Sequence, residues 1–69
     1  MAVARVSEIT STSESSFEDA IKRGLQRATK TLRNVEGAWV KEFEVRMQDN
    51  EIKEFKVNLK VTFLLEDPS

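Results

Sequence analysis

Between Ile52 and Leu65 apolar and polar residues alternate with a period of two. Phe55, Val57, Leu59, Val61, Phe63 and Leu65 fall on one side, and Glu54, Lys56, Asn58, Lys60 and Thr62 on the other. That pattern predicts a strand over 52–65 with one buried face. Residues 38–47 alternate in the same way. Read as a regular strand, they put Trp39, Lys41, Phe43, Val45 and Met47 on one side and Ala38, Val40, Glu42, Glu44 and Arg46 on the other. Gln48–Glu51 between them reads as a hairpin turn, rich in side chains that bond their own backbone. Upstream the period changes. Phe17, Ala20, Ile21, Gly24, Leu25, Ala28, Thr31, Leu32 and Val35 recur at helical spacing and predict a helix from about Ser16 to about Arg33. Phe17, Ile21, Leu25 and Leu32 are its expected core knobs, and Ala20, Gly24 and Ala28 make a stripe of small residues. Gly24 costs about 1 kcal/mol of helix stability against Ala, a cost tolerable where something packs close to the backbone. Residues 2–9 are β-branched enough for a first strand, ending before Thr10–Ser16. Ser15 with Glu18, or Ser16 with Asp19, has the spacing of a helix N-terminal capping pair. The tail Glu66–Ser69 is expected to fray.

The order is β-α-β-β, an α+β fold in which a three-stranded antiparallel sheet wraps one helix. At 69 residues it makes a single domain, residues 1–69. A chain this short buries only about 60% of its unfolded surface. Small domains make up the deficit with disulfides, metals or self-association. With no Cys and no His, disulfides and the usual zinc sites are excluded, which leaves self-association. One helix covers such a sheet sparingly, so its bare face and edges should meet other subunits. The formal net charge of −1, with acids and bases interspersed, offers no field for nucleic acid or an anionic membrane. No apolar run is long enough to be a signal peptide or to span a bilayer, so a cytoplasmic protein is expected.

The ordered set Thr10-Ser-Thr-Ser-x-Ser-x-Phe17-x-x-Ala20, Ala28-x-x-Thr31, Asn34-Val35 and Phe55-Lys-Val-Asn-Leu-Lys-Val-Thr-Phe63 resembles the dodecin family, from about Val3 to about Glu66. The resemblance implies a β-α-β-β protomer assembled into a hollow homododecamer. It implies storage or sequestration of flavin (riboflavin, FMN or FAD), held in pairs between subunits without turnover. In such proteins the flavin ring stacks on a tryptophan near the start of the second strand, and a glutamine on the third strand bonds its edge. Here those positions fall on Gly37 and Lys56, and the sole tryptophan stands two residues later, at Trp39. A shift of two keeps the same sheet face and moves the ring about 7 Å along a regular strand. The strand Glu36–Glu42 resembles equally a second branch of the family, some of whose members bind calcium.

Candidate ligand residues are therefore Gly37, Trp39 and Lys56. Trp39 is either a stacking platform or packing, in a subunit interface or in a core where it shares the parity of Phe43 and Val45; a bulge between 38 and 43 would break that link. Gly37 either relieves the turn into the strand or marks a pocket without its ring. Lys56 either pairs with Glu42 or Glu44 across the sheet or meets an anionic group of a ligand. The acids, among them Glu36, Glu42, Glu44, Asp49, Glu51, Glu54, Glu66 and Asp67, show no calcium-loop spacing; they read as a solvated mixed-charge sheet face, or as a calcium site built from repeated copies at a symmetry axis. The bases Arg23, Arg27, Lys30 and Arg33 read as a solvated helix face, and no motif marks an activated nucleophile or paired acid and base. The expected function is non-catalytic binding of a small planar ligand, flavin first. The alternative is a dodecin-type shell that binds calcium or another ligand, or serves as a scaffold.

Overall fold

The computed structural model describes residues 3–65, so Ala2 and the expected frayed tail lie outside the described residues. Strand β1 spans Ala4–Ser13, helix α1 Phe17–Thr31, strand β2 Val35–Gln48 and strand β3 Glu51–Leu64. All pairing is antiparallel, in the order β1-β3-β2. The expected α+β architecture is what the chain forms.

Two strand boundaries differ clearly from expectation. Strand β1 runs to Ser13, not Ile9, because Thr10–Ser13 pair with Phe55–Asn58 of β3. Those hydroxyl residues are strand before they are helix cap. Strand β2 begins at Val35 rather than Ala38, since Asn34 makes the corner after the helix with a left-handed φ of 59°. Its carbonyl accepts from Leu64 N–H at 3.0 Å, which ties that corner to the end of β3. The hairpin closes through Asp49 and Asn50, both at positive φ (53° and 65°), as a two-residue turn matched to strand twist requires.

Of the two capping pairs, the structure uses Ser16 with Asp19. Ser16 Oγ accepts from Asp19 N–H at 2.9 Å. Behind it, buried Ser13 accepts from Ser15 N–H at 3.0 Å and donates to Asp19 Oδ2 at 2.6 Å. Arg23 Nε reaches the same carboxylate oxygen at 2.7 Å. The end of β1 is thus bonded directly to the first turn of α1.

The core lies between α1 and β3. Val57, Leu59 and Val61 are wholly buried, beneath the small stripe of Ala20, Gly24 and Ala28. The stripe is buried more deeply than Phe17, Ile21, Leu25 and Leu32, which are only partly covered and pack around it. A Cβ on Gly24 would stand 3.0 Å from Ser11 Cβ and 3.1 Å from Leu59 Cδ1, so the missing side chain is what lets helix and sheet approach this closely. The helix lies over β1 and β3 and scarcely touches β2. At the helix N-terminus Phe17 meets Phe43 and Phe55 edge-on, each at 5.0 Å between ring centroids.

Two predictions follow from these contacts. Gly24→Ala gains about 1 kcal/mol of helix propensity. It meets Ser11 Cβ, which is fixed to the backbone and cannot swing away, and overpacking of this kind costs about 1–3 kcal/mol. A net loss of about 1 kcal/mol in denaturant unfolding is expected; a gain would show that helix and β1 separate freely.

The Ser13 hydroxyl, with Arg23 and Lys22 adding opposite charge, holds the Asp19 carboxyl below its ordinary value of 3.8. A depressed folded-state pKa stabilises the fold above 3.8, and that contribution is lost as pH falls from there through the folded value. Ser13→Ala should raise the Asp19 pKa in an NMR titration and diminish this acid-side loss. An unchanged titration would move the cause to the cationic side chains.

Candidate functional site

Side chains on β3 alternate between the helix face and an open face that α1 does not cover. Register assigns the neighbours. Opposite Thr62, Lys60, Asn58, Lys56 and Glu54 stand Gly37, Trp39, Glu42, Glu44 and Arg46 on β2. Opposite the first four of these stand Val6, Glu8, Thr10 and Thr12 on β1. Gly37, Trp39 and Lys56 therefore all lie on the open face.

The parity of β2 is not constant along its length. A register shift between Val40 and Glu42 leaves Lys41 as an extra residue. Upstream of it Trp39 opposes Lys60; downstream Phe43 opposes wholly buried Val57. Trp39 and Phe43, four residues apart, thus face opposite sides of the sheet, which corrects the single side read for Trp39, Phe43 and Val45. The physical cause is the bulge, since one inserted residue reverses the alternation beyond it. Trp39 is not part of the protomer core: the residue is 68% exposed.

A cation stands against Trp39. The Lys60 ammonium stands over the indole, 5.7 Å from the ring centroid. Lys41 Nζ lies 3.7 Å from Glu8 Oε2, an ion pair formed across the width of the sheet above Lys60. Beside the ring, Gly37 has no positive φ, so it relieves no turn; Asn34 does that. A Cβ placed on Gly37 would find nothing within 4 Å. A first side-chain carbon is therefore accommodated there without a clash.

Lys56 belongs to a different part of the face. It lies six residues from Thr62, the partner of Gly37, which puts it about 20 Å along the strand. The protomer does not bring Lys56 together with Gly37. Its ammonium instead lies 3.7 Å from Glu44 Oε1. With Thr10, Glu42, Glu44 and Asn58 it lines a small polar depression of about 100 Å³. Asn58 Oδ1 there is enclosed and has no hydrogen-bond partner. In the apolar–polar alternation Asn58 and Lys60 are simply polar-face residues. An Asn in mid-strand, a residue strands disfavour, was the available signal for the first. Nothing local marks Lys60, because its contact to Trp39 exists only in the paired sheet.

Among the described residues no group of three or more His, Cys, Asp or Glu could hold a metal ion. No helix there is long and apolar enough to cross a membrane.

Comparison with known proteins agrees with this architecture. The family model described as Dodecin matches residues 3–66. A dodecin from Thermus thermophilus is 42% identical over 60 residues, 87% of each chain. Its crystal structures include one with a TM-score of 0.91 at 39% identity, covering 97% of this chain and 98% of that one. A dodecin structure from Streptomyces davaonensis matches with a TM-score of 0.90 at 33% identity, over 96% and 97% of the two chains. The calcium-chelating immunodominant antigen of Mycobacterium tuberculosis, a calcium dodecin, matches with a TM-score of 0.80 at 26% identity, over 97% and 96%. This chain belongs to the dodecin family.

Proposed function

We propose that this chain is a non-catalytic dodecin that self-assembles into a hollow cytoplasmic homododecamer and binds a planar ligand, flavin, against Trp39. The observation that carries the reading is a large indole left bare on a polar sheet face, beside the gap at Gly37. An exposed aromatic face in a chain without His or Cys offers stacking and little else in the way of chemistry. Relocation of the ring from Gly37 to Trp39 keeps it on the same face, because the bulge at Lys41 lies beyond both. Lys56, already near Glu44, is a weaker ligand residue in this reading and enters only from a neighbouring subunit.

Self-assembly rests on the other side of the sheet. Along β2 the helix face carries Ala38, Val40, Phe43 and Val45, and α1 leaves Ala38, Phe43 and Val45 exposed. Next to them lie the half-covered flanks of Phe17, Ile21 and Leu25. Such an apolar strip on a small domain is an interface waiting for a second copy. Calcium, the alternative ligand, finds no cluster of three acids in the described part of one protomer. A site for it would join acids such as Glu42 and Glu44 from several subunits.

Two measurements test the reading. Riboflavin and FMN should each lose fluorescence on titration into the protein, and Trp39 emission should fall in parallel. Trp39→Ala should weaken binding by about tenfold or more, since stacking on one aromatic is worth about 1–3 kcal/mol. Gly37→Trp in that background should restore it, since a Cβ there meets nothing within 4 Å. An absence of quenching at micromolar flavin sinks the flavin assignment. Separately, light scattering should give a closed assembly many times the 7.9 kDa chain mass. Phe43→Glu should reduce the mass; a wild-type monomer would overturn the assembly.

A further inference from the structure

The cations of the open face do not share one fate. Lys41 is near Glu8, Arg46 near Glu54 and Lys56 near Glu44, at 3.7, 3.4 and 3.7 Å. Lys60 has no carboxylate at ion-pair distance among the described residues; its ammonium stands over Trp39 instead. The cause is the bulge. Glu8 is the register partner of Lys60 on β1 and would be its natural counter-ion. The extra residue Lys41 reaches across the sheet and takes that carboxylate. Lys60 is left half-buried, uncompensated and against the one exposed indole.

We infer that Lys60 sets the ligand class at Trp39: a planar aromatic that carries an anionic group, in preference to the neutral ring alone. The inference rests on the planar-ligand reading above. A ring stacking on Trp39 either displaces the ammonium from the indole face or takes the opposite face. In both arrangements the ammonium stays tethered within a ring's width of the ligand. A neutral ligand gains nothing from that charge and must compete with the cation–π contact. A ligand with a phosphate or carboxylate gives the ammonium the partner that Glu8 does not. A cationic aromatic is repelled. Lys60 acts here as a specificity residue, and Trp39 remains the platform.

Riboflavin and FMN isolate this effect, because they share the ring and differ by the phosphate. Each is titrated into the intact wild-type assembly and into Lys60→Gln and Lys60→Arg, with Trp39 emission as the readout. No other Trp and no Tyr contribute to that emission. Wild type should bind FMN about five- to tenfold more tightly than riboflavin at low ionic strength, the scale of one partly screened charge pair. High salt should reduce that preference. Lys60→Gln should bring the preference below about twofold, with riboflavin binding equal or tighter, and Lys60→Arg should retain it. Equal binding of the two flavins by wild type overturns the inference, as does a preference that survives in Lys60→Gln, while both leave the flavin reading standing. Quenching by neither flavin overturns both.

Discussion

One helix has to cover a sheet longer and wider than itself. Fifteen helical residues rise about 22 Å, whereas fourteen strand residues extend about 46 Å. Three strands side by side also exceed the width of one helix. The chain answers by pressing α1 onto the β1–β3 seam as closely as a glycine allows, so that Val57, Leu59 and Val61 are fully enclosed. The consequence is a small, tight core and an uncovered remainder. The helix face of β2 and the larger apolar residues of α1 remain half-dressed. A domain with this little enclosed apolar volume has a thin margin over its conformational entropy. Self-association would add the apolar burial that so thin a margin lacks.

The bulge at Lys41 divides the labour on β2. Without it, Trp39 and Phe43 would occupy the same face, and a single apolar stripe would have to serve both packing and recognition. With it, Phe43 and Val45 turn toward the helix side, where another subunit can cover them, while Trp39 turns toward the open face. The inserted residue does more than shift parity. Its own ammonium crosses to Glu8 and removes the counter-ion that Lys60 would otherwise hold. A local backbone irregularity thus sets both the orientation of an aromatic ring and the charge beside it.

Most of the architecture is legible in the pattern of the chain. The period of two across 52–65 is unbroken through the buried core, so the face of β3 is readable position by position. The helix is legible for the same reason, and its glycine announces a close approach. The bulge is not legible. A strand with an inserted residue has no compositional mark, and the alternation of 38–47 looks regular whether or not Lys41 pairs. The length of β1 was hidden by composition as well. Thr10–Ser13 look like a cap or linker because hydroxyl residues favour both, yet their backbone belongs to the sheet and only Ser13 turns toward the helix start. Lys60 and Asn58 were invisible as site residues because their meaning is set by neighbours on other strands.

Moving a ring two residues along a strand looks conservative, since it stays on one face. The register shows that it is not. At Gly37 the cross-strand neighbour is Thr62, flanked on β1 by Val6, a neutral setting. At Trp39 the neighbour is Lys60, with Glu8 beyond it already engaged by Lys41. The second position therefore sets an indole beside a cation with no carboxylate at ion-pair distance among the described residues, where the first is an uncharged trough. Charge of this kind discriminates between ligands that share a ring, while stacking itself is nearly indifferent to it. The fold, helix seam and sheet face are thus kept, while a shift of two residues along one strand changes the charge beside the ring.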